Sequence, residues 1–384
     1  MRILFAACGG GHIHHSAAQM LRLEQEAWLY TAWKNSTDLP EANYKRAWLF
    51  AALCQPFFRF AGGRFADAGF HGMQPLWHAW LRRQKLPVCD VVHSVMGFTT
   101  TPFDYAEKIG ALKVLDASNS HPTSFYGFWQ RELDIWNPGK SVGVPRWFFA
   151  SINREIERAD LVLCPSTYVR DSMLYNGIPE SKLAVLAYGA NLNVFSPRQR
   201  LPDKPRFIFV GALTLRKGVQ YLVPAFERLK KERPEAELIL CGAPYKDFQK
   251  YFERWRPLFT HERGLSHPEL AKLLQSCTAF VFPSIEEGFA RVISEAMAAG
   301  LPIIATHNSG ATTVVENGRE GIIVPARSEQ AVYEAMKRVI EQPDWCDSMG
   351  RAAAEKATKD GSWERYGERL VDIYKLHRDR LKRG

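Results

Sequence analysis

Residues 283–306 read PSIEEGFARVISEAMAAGLPIIAT, and the fold follows from how this stretch divides. The residues before it, Thr278 to Phe282, form a short apolar run that closes on Pro283 and Ser284, which predicts a buried parallel strand. From Phe289 to Ala299 apolar residues recur at helical spacing until Gly300 and Pro302 stop them, and Pro302 to Thr306 is again strand-like. Between strand and helix stand Glu286, Glu287 and Gly288. The first N–H groups of a helix lack internal partners and carry the positive end of its dipole, so an anion such as a diphosphate suits that turn. Glu287 lies just outside the helix end, where it can accept hydrogen bonds from sugar hydroxyls. Glu295 lies roughly 8 Å further along the helix, about the separation of a sugar from a ribose. Taken alone, each acid also reads as an ordinary helix residue, because acids are favoured at helix starts in any case.

The same alternation extends along the chain. Candidate strands are Ile3 to Ala7, Asp90 to Val95, Lys113 to Ala117, Leu161 to Pro165 and Leu183 to Ala187 in the first half. In the second they are Phe207 to Gly211, Glu237 to Gly242, Ala279 to Pro283, Pro302 to Thr306 and Gly321 to Pro325. Helical patterns separate them, which predicts an α/β protein with parallel sheets covered by helices on both faces. The 384 residues suffice for two domains of ordinary size. Ser196 to Pro205 is polar, Pro-rich and aperiodic, and is the expected interdomain linker. Seven cysteines without a Cys-x-x-Cys pair point to packing roles in a reduced compartment, with neither a zinc site nor a disulfide framework. The opening residues are too short an apolar run for a signal segment, and no run of 18 apolar residues occurs, so the expected location is cytoplasmic.

Glu-Gly-Phe at 287–289, followed by Glu-Ala-Met-Ala-x-Gly-x-Pro-Ile-Ile-Ala from Glu295, resembles the retaining family-4 glycosyltransferases of GT-B fold. Other stretches agree in order. Arg206 to Phe226, with Arg216-Lys217-Gly218 inside it, resembles the first strand and helix of the family's second domain. Ala159 to Ser166, Tyr175 to Pro179 and Ala187 to Pro197 resemble the end of its first domain, and Gly264 to Leu274 the segment beneath the base. The resemblance covers about residues 159 to 330. It implies two Rossmann-like doubly wound domains facing across a cleft: 1–197 on the acceptor side, joined by a returning helix at 363–384, and 198–362 for the nucleotide sugar. It implies a retaining transfer from a nucleotide-diphosphate sugar to a glycan, lipid-linked or other hydroxyl acceptor, in cell-surface polysaccharide or glycoconjugate synthesis. The leaving phosphate itself accepts the acceptor's proton in that scheme.

The site residues follow from the same resemblance. Arg216, Lys217 and the amides of Gly288, Phe289, Ala290, Arg291 and Val292 meet the diphosphate, Glu287 the sugar and Glu295 the ribose, with Gly211 lining the site. Arg brings a planar fork and Lys a point charge, both suited to phosphate oxygens. No metal or other cofactor is needed, and no Asp-x-Asp pair is present to hold one. Gly10 and Gly11, in the Gly-Gly-Gly-His run after the first strand, either make a tight turn or offer amides to the diphosphate or acceptor. His121, in the loop after Lys113 to Ala117, is the candidate first-domain site residue, with Asp116 and Asn119 as neighbours able to orient it. Three positions depart from the family's pattern: Ala212 for Arg, Ala290 for Gly and Asn191 for Asp.

Net charge is +9, and aromatics alternate with cations from Tyr44 to Lys85. Such a segment suits weak peripheral contact with an anionic membrane at its inner face, or a packed core with a solvated face. No nucleic-acid motif accompanies the basic balance. Rival readings are a GT-B epimerase or phosphorylase and a non-catalytic nucleotide-sugar-binding subunit.

Overall fold

A computed structural model describes residues 1–8, 11–32, 39–53 and 74–383. Two parallel sheets organise them. The first takes β1 (Arg2–Ala7), β2 (Glu26–Thr31), β3 (Tyr44–Arg46), β4 (Val91–Val95), β5 (Leu112–Asp116), β6 (Leu161–Cys164) and β7 (Leu183–Val185) in the order β3-β2-β1-β4-β5-β6-β7. The second takes β8 (Arg206–Val210), β9 (Glu237–Cys241), β10 (Thr260–Glu262), β11 (Ala279–Phe282), β12 (Ile303–Thr306) and β13 (Gly321–Val324) in the order β10-β9-β8-β11-β12-β13. Helices cover both faces, so successive residues of a central strand enter different cores. In β1, Ile3, Phe5 and Ala7 join the core beneath helix α1 (Gly11–Arg22), and Leu4 and Ala6 join the one on the opposite face. Strands β2, β3 and β10 have no counterpart among the strands that the apolar runs predict. The edge strands Tyr-Lys-Arg and Thr-His-Glu are three residues long and polar, and β2 follows its helix without a Gly or Pro stop.

The last helix, α13 (Trp363–Arg383), belongs to the first core. Tyr366 and Tyr374 are buried there, Gly367 lies against Gln19 of α1, and Arg22 pairs with Glu364 at 2.5 Å. A second tie runs the other way. Helix α4 (Pro122–Trp136) leaves the first sheet and lies along the second domain, where the fully buried Glu132 carboxylate accepts hydrogen bonds from Gln220 at 2.9 Å, Tyr221 at 3.1 Å and Arg327. A charge buried that deeply persists only with its partners in place, so this cluster fixes how the two domains meet.

Helix α5 (Arg146–Arg158) supports the loop that ends β4. Its buried Glu155 accepts the Gly97 amide at 2.6 Å and the Thr99 amide at 3.1 Å. Burial raises the Glu155 carboxyl from 4.5 to about 7, against the lowering effect of those amides. A glutamate whose folded pKa exceeds its unfolded one favours the fold below the unfolded value, and that contribution is lost as pH rises through the folded value. Melting temperature should therefore decline across about pH 4.5 to 7 by the equivalent of at most ~3 kcal/mol, and Glu155→Gln should flatten that decline. Thermal melts of both proteins across the range check it, and equal slopes would refute it.

Candidate functional site

The turn after β11 is tied on both sides. The Ile285 amide donates to the Arg216 carbonyl at 2.9 Å, the Glu287 amide to the Asn308 carbonyl at 3.0 Å, and the Asn308 side chain to the Ile285 carbonyl at 2.8 Å. These bonds bring Glu286 and Glu287 onto the basic pair that follows β8. Glu286 is fully buried, accepts Ser120 Oγ at 3.0 Å and the Ser120 amide at 3.3 Å from the first domain, and pairs with Arg216 at 3.1 Å. Glu287 is partly exposed, touches the Lys217 ammonium and lies 3.5 Å from Arg216. Sequence spacing singles out Glu287 and Glu295 but carries no signal for Glu286, whose partner Ser120 lies 166 residues earlier.

The following helix, α10 (Arg291–Ala298), begins two residues later than the apolar periodicity predicts, with Ala290 as its N-cap in extended backbone. Opposing loops account for the delay. Ser166 Oγ donates to the Gly288 carbonyl at 2.6 Å, and a Cβ added at Gly288 would fall 1.9 Å from the Ser118 carbonyl oxygen. The domains thus meet at a residue where only glycine fits. Phe289 is consequently buried in the first domain's core, edge-on to Tyr188 at 6.4 Å, while Val292 packs against the second. Glu295 is half-buried; burial raises its carboxyl, and His267 and Arg291 oppose the rise. Gly211 follows β8 beside Gly242, where an added Cβ would meet the Gly211 carbonyl at 1.9 Å, so the two strand ends approach backbone to backbone.

On the first-domain side the centre is Asp116. Its fully buried carboxylate lies 3.2 Å from Nε2 of both His12 and His93 and accepts the Tyr188 hydroxyl at 2.6 Å, and His93 Nδ1 meets the Tyr374 hydroxyl. Burial raises the Asp116 carboxyl, but the two histidines outweigh it and hold it well below the usual carboxylate range. His12, missed by sequence reasoning, stacks on Tyr188 at 4.3 Å; the His-Ile-His-His run after Gly11 was its available signal. His15, one turn on, stacks on Trp363 at 4.4 Å. Burial first, then Arg291, His14 and His12, lower His15 to about 4. Ile13 of α1 shares the first-domain core with Phe289, and the Arg291 charge at the start of α10 reaches His15.

His121 occupies a different environment. It caps α4, with Nδ1 accepting the Thr123 amide at 3.3 Å and its own amide donating to Ser172 at 2.9 Å; burial lowers its pKa. Asp116, expected to orient it, is taken by His12, His93 and Tyr188 instead. Asn119 lines a cavity of about 1420 Å³ between the domains, which Ser120 and Arg216 also line. Gly11 is the first residue of α1, with open space around its α-carbon; Gly10 lies outside the described residues. Among the described residues no group of three or more His, Cys, Asp or Glu side chains is arranged to hold a metal ion.

Two parallel-sheet domains facing across such a cleft define the GT-B architecture. Sucrose-phosphate synthase of Thermosynechococcus elongatus superposes with a TM-score of 0.70 at 17% identity, over 98% of this chain and 99% of that one. HepE of Anabaena in complex with UDP-glucose gives 0.67 at 15% identity, over 98% and 100%. Residues 194–356 match the family model for glycosyl transferases group 1, and the chain is a GT-B protein related to that group. Alpha-maltose-1-phosphate synthase of Mycolicibacterium smegmatis is 28% identical over 250 residues, 57% of this chain and 64% of that relative. The chain therefore spans less than two thirds of that relative's length.

Gly288→Ala should keep both domains folded while forcing them apart. Small-angle scattering should show a larger radius of gyration, and the melting temperature should fall as Glu286 loses Ser120 and Phe289 leaves the first domain's core. Turnover should fall about a hundredfold, the scale for misplacing reacting groups by an ångström. Unchanged scattering together with full turnover would refute this assignment.

Proposed function

We propose that the protein is a retaining, metal-independent glycosyltransferase that moves a sugar from a nucleotide-diphosphate donor to a hydroxyl acceptor, glycan or lipid-linked, in polysaccharide or glycoconjugate synthesis. The observation that carries the reading is the convergence of positive charge on one gap. Arg216 and Lys217 lie on one side and the start of α10 with Arg291 on another, and the start of α1 adds its free amides beside the imidazole of His15, which is neutral with its pKa at about 4. A departing nucleoside diphosphate needs such preorganised charge, and a helix start supplies it without a side chain. Glu295, held near Arg291 and His267, is the ribose acceptor. Glu287 receives the sugar hydroxyls once the diphosphate competes for Lys217. His12, positioned by Asp116, Gly11 beside it and the Gly288–Val292 segment complete the wall, with His121 set back as a helix cap.

Weak membrane contact is part of the proposal. Trp48 and Leu49 are 67% and 57% exposed next to Lys45 and Arg46. The stretch 54–73 of that basic aromatic segment lies outside the described residues. Among the described residues no helix is long and apolar enough to cross a membrane.

Three measurements test the reading. In a panel of UDP-, GDP- and ADP-sugars, one nucleotide should raise the melting temperature well above the others; no shift with any of them would sink the proposal. Lys217→Ala should cost about 10²–10³ in turnover, the usual loss on removing one charge-stabilising donor, and a change below tenfold would exclude Lys217 from the diphosphate. An anion in the gap should also raise the pKa of His15 from about 4, because it cancels the Arg291 field. NMR titration of the imidazole with and without the nucleotide reads this directly, and an unmoved value would place the diphosphate elsewhere.

A further inference from the structure

The interdomain cavity is larger and less polar than a sugar acceptor requires. Its volume of about 1420 Å³ exceeds the ~300–1,000 Å³ of ordinary small-molecule pockets. It runs between α4 and α5 on one side and segments 212–216 and 245–253 of the second domain on the other. Phe125, Trp129, Leu133, Val144, Phe149 and Ile152 form much of its wall. A free monosaccharide would fill only part of that volume and cover only part of that wall.

The charged lining has a sign. Lys140, Arg216, Lys246 and Lys250 stand against Asp247 and Glu253, and Asp247 is already engaged by the Thr214 hydroxyl at 2.7 Å and the Leu215 amide at 3.1 Å. Lys140, Lys246 and Lys250 are exposed at the mouth, whereas Ser120 and Thr214 are buried at the floor. Polar groups are thus buried beside the Arg216–Glu286 contact, and the exposed lining carries Lys140, Lys246 and Lys250 against Glu253.

We infer that this cavity is the acceptor chamber and that its occupant is an anionic amphiphile: a hydroxyl-bearing end at Ser120 and Arg216, an apolar body on the aromatic wall, and a negative group at the three lysines. The inference rests on the transferase reading and names its acceptor class. In the transfer, the acceptor hydroxyl oxygen bonds to the anomeric carbon as the bond from that carbon to the donor phosphate oxygen breaks. The nucleoside diphosphate leaves with the electron pair, and its phosphate takes the hydroxyl proton.

Calorimetric titration of the full chain with decyl phosphate, decyl glucoside and inorganic phosphate, each below any micelle threshold, tests the assignment. Decyl phosphate should bind at least about tenfold more tightly than either of the others. The exposed-site double variant Lys246→Ala/Lys250→Ala should abolish its advantage over decyl glucoside. Phe149→Ala should weaken both decyl ligands by about tenfold, since an aromatic wall contributes mainly through area. Affinity for the preferred nucleoside diphosphate should stay unchanged in both variants. Inorganic phosphate binding as tightly as decyl phosphate, or decyl affinities indifferent to both variants, would overturn the chamber. A wild-type chain that binds nucleotide yet shows no cavity-dependent amphiphile binding overturns this inference alone. One that binds decyl phosphate at the cavity but no nucleotide supports the chamber as an amphiphile site and overturns the transferase reading.

Discussion

Everything near the cleft depends on the contact between Arg216-Lys217 and Glu286-Glu287. Glu286 is fully buried, and a carboxylate in that position is tolerated only while its cation and hydrogen-bond donors are present; removing one partner of such a pair costs about 3–5 kcal/mol. Ser120 from the first domain is one of those donors, so a single acid fixes both the turn after β11 and the approach of the two domains. Glu287 is different. It is partly exposed and answers to the same two cations at their outer side. Glu287 can exchange its partner at Lys217, whereas Glu286 cannot move without breaking the interdomain contact. Two adjacent acids thus divide into a structural one and an exchangeable one.

Much of the fold was legible because its strands are short apolar runs buried on both faces, such as Phe207–Phe209 and Phe280–Phe282. The strands that escaped notice were β2 and the polar edges β3 and β10, whose sequences carry neither alternation nor punctuation. The strand–turn–helix units that carry the basic pair and the two spaced acids were legible because each has its own pattern. What was illegible arises from contacts distant in sequence. Glu286 acquires its environment from Ser120, and Asp116 becomes a hub only when β1, β4 and the segment after β7 bring His12, His93 and Tyr188 around it. His121 shows the converse: a polar loop histidine that local geometry turns into a helix cap.

The chain also arranges its interdomain contacts asymmetrically. Glu132 gathers Gln220, Tyr221 and Arg327, and Ser166 and Thr167 bond across to Gly288 and Thr313, so those polar groups are paired. Where α1 and α10 begin, three residues beyond Gly288, His15 is pushed down to about 4 by burial first and by Arg291 second, and Glu295 is the acid that feels the same Arg291 charge. The paired groups hold the domains close. Closing the gap further brings two helix starts and Arg291 together, which is unfavourable unless a negative group enters.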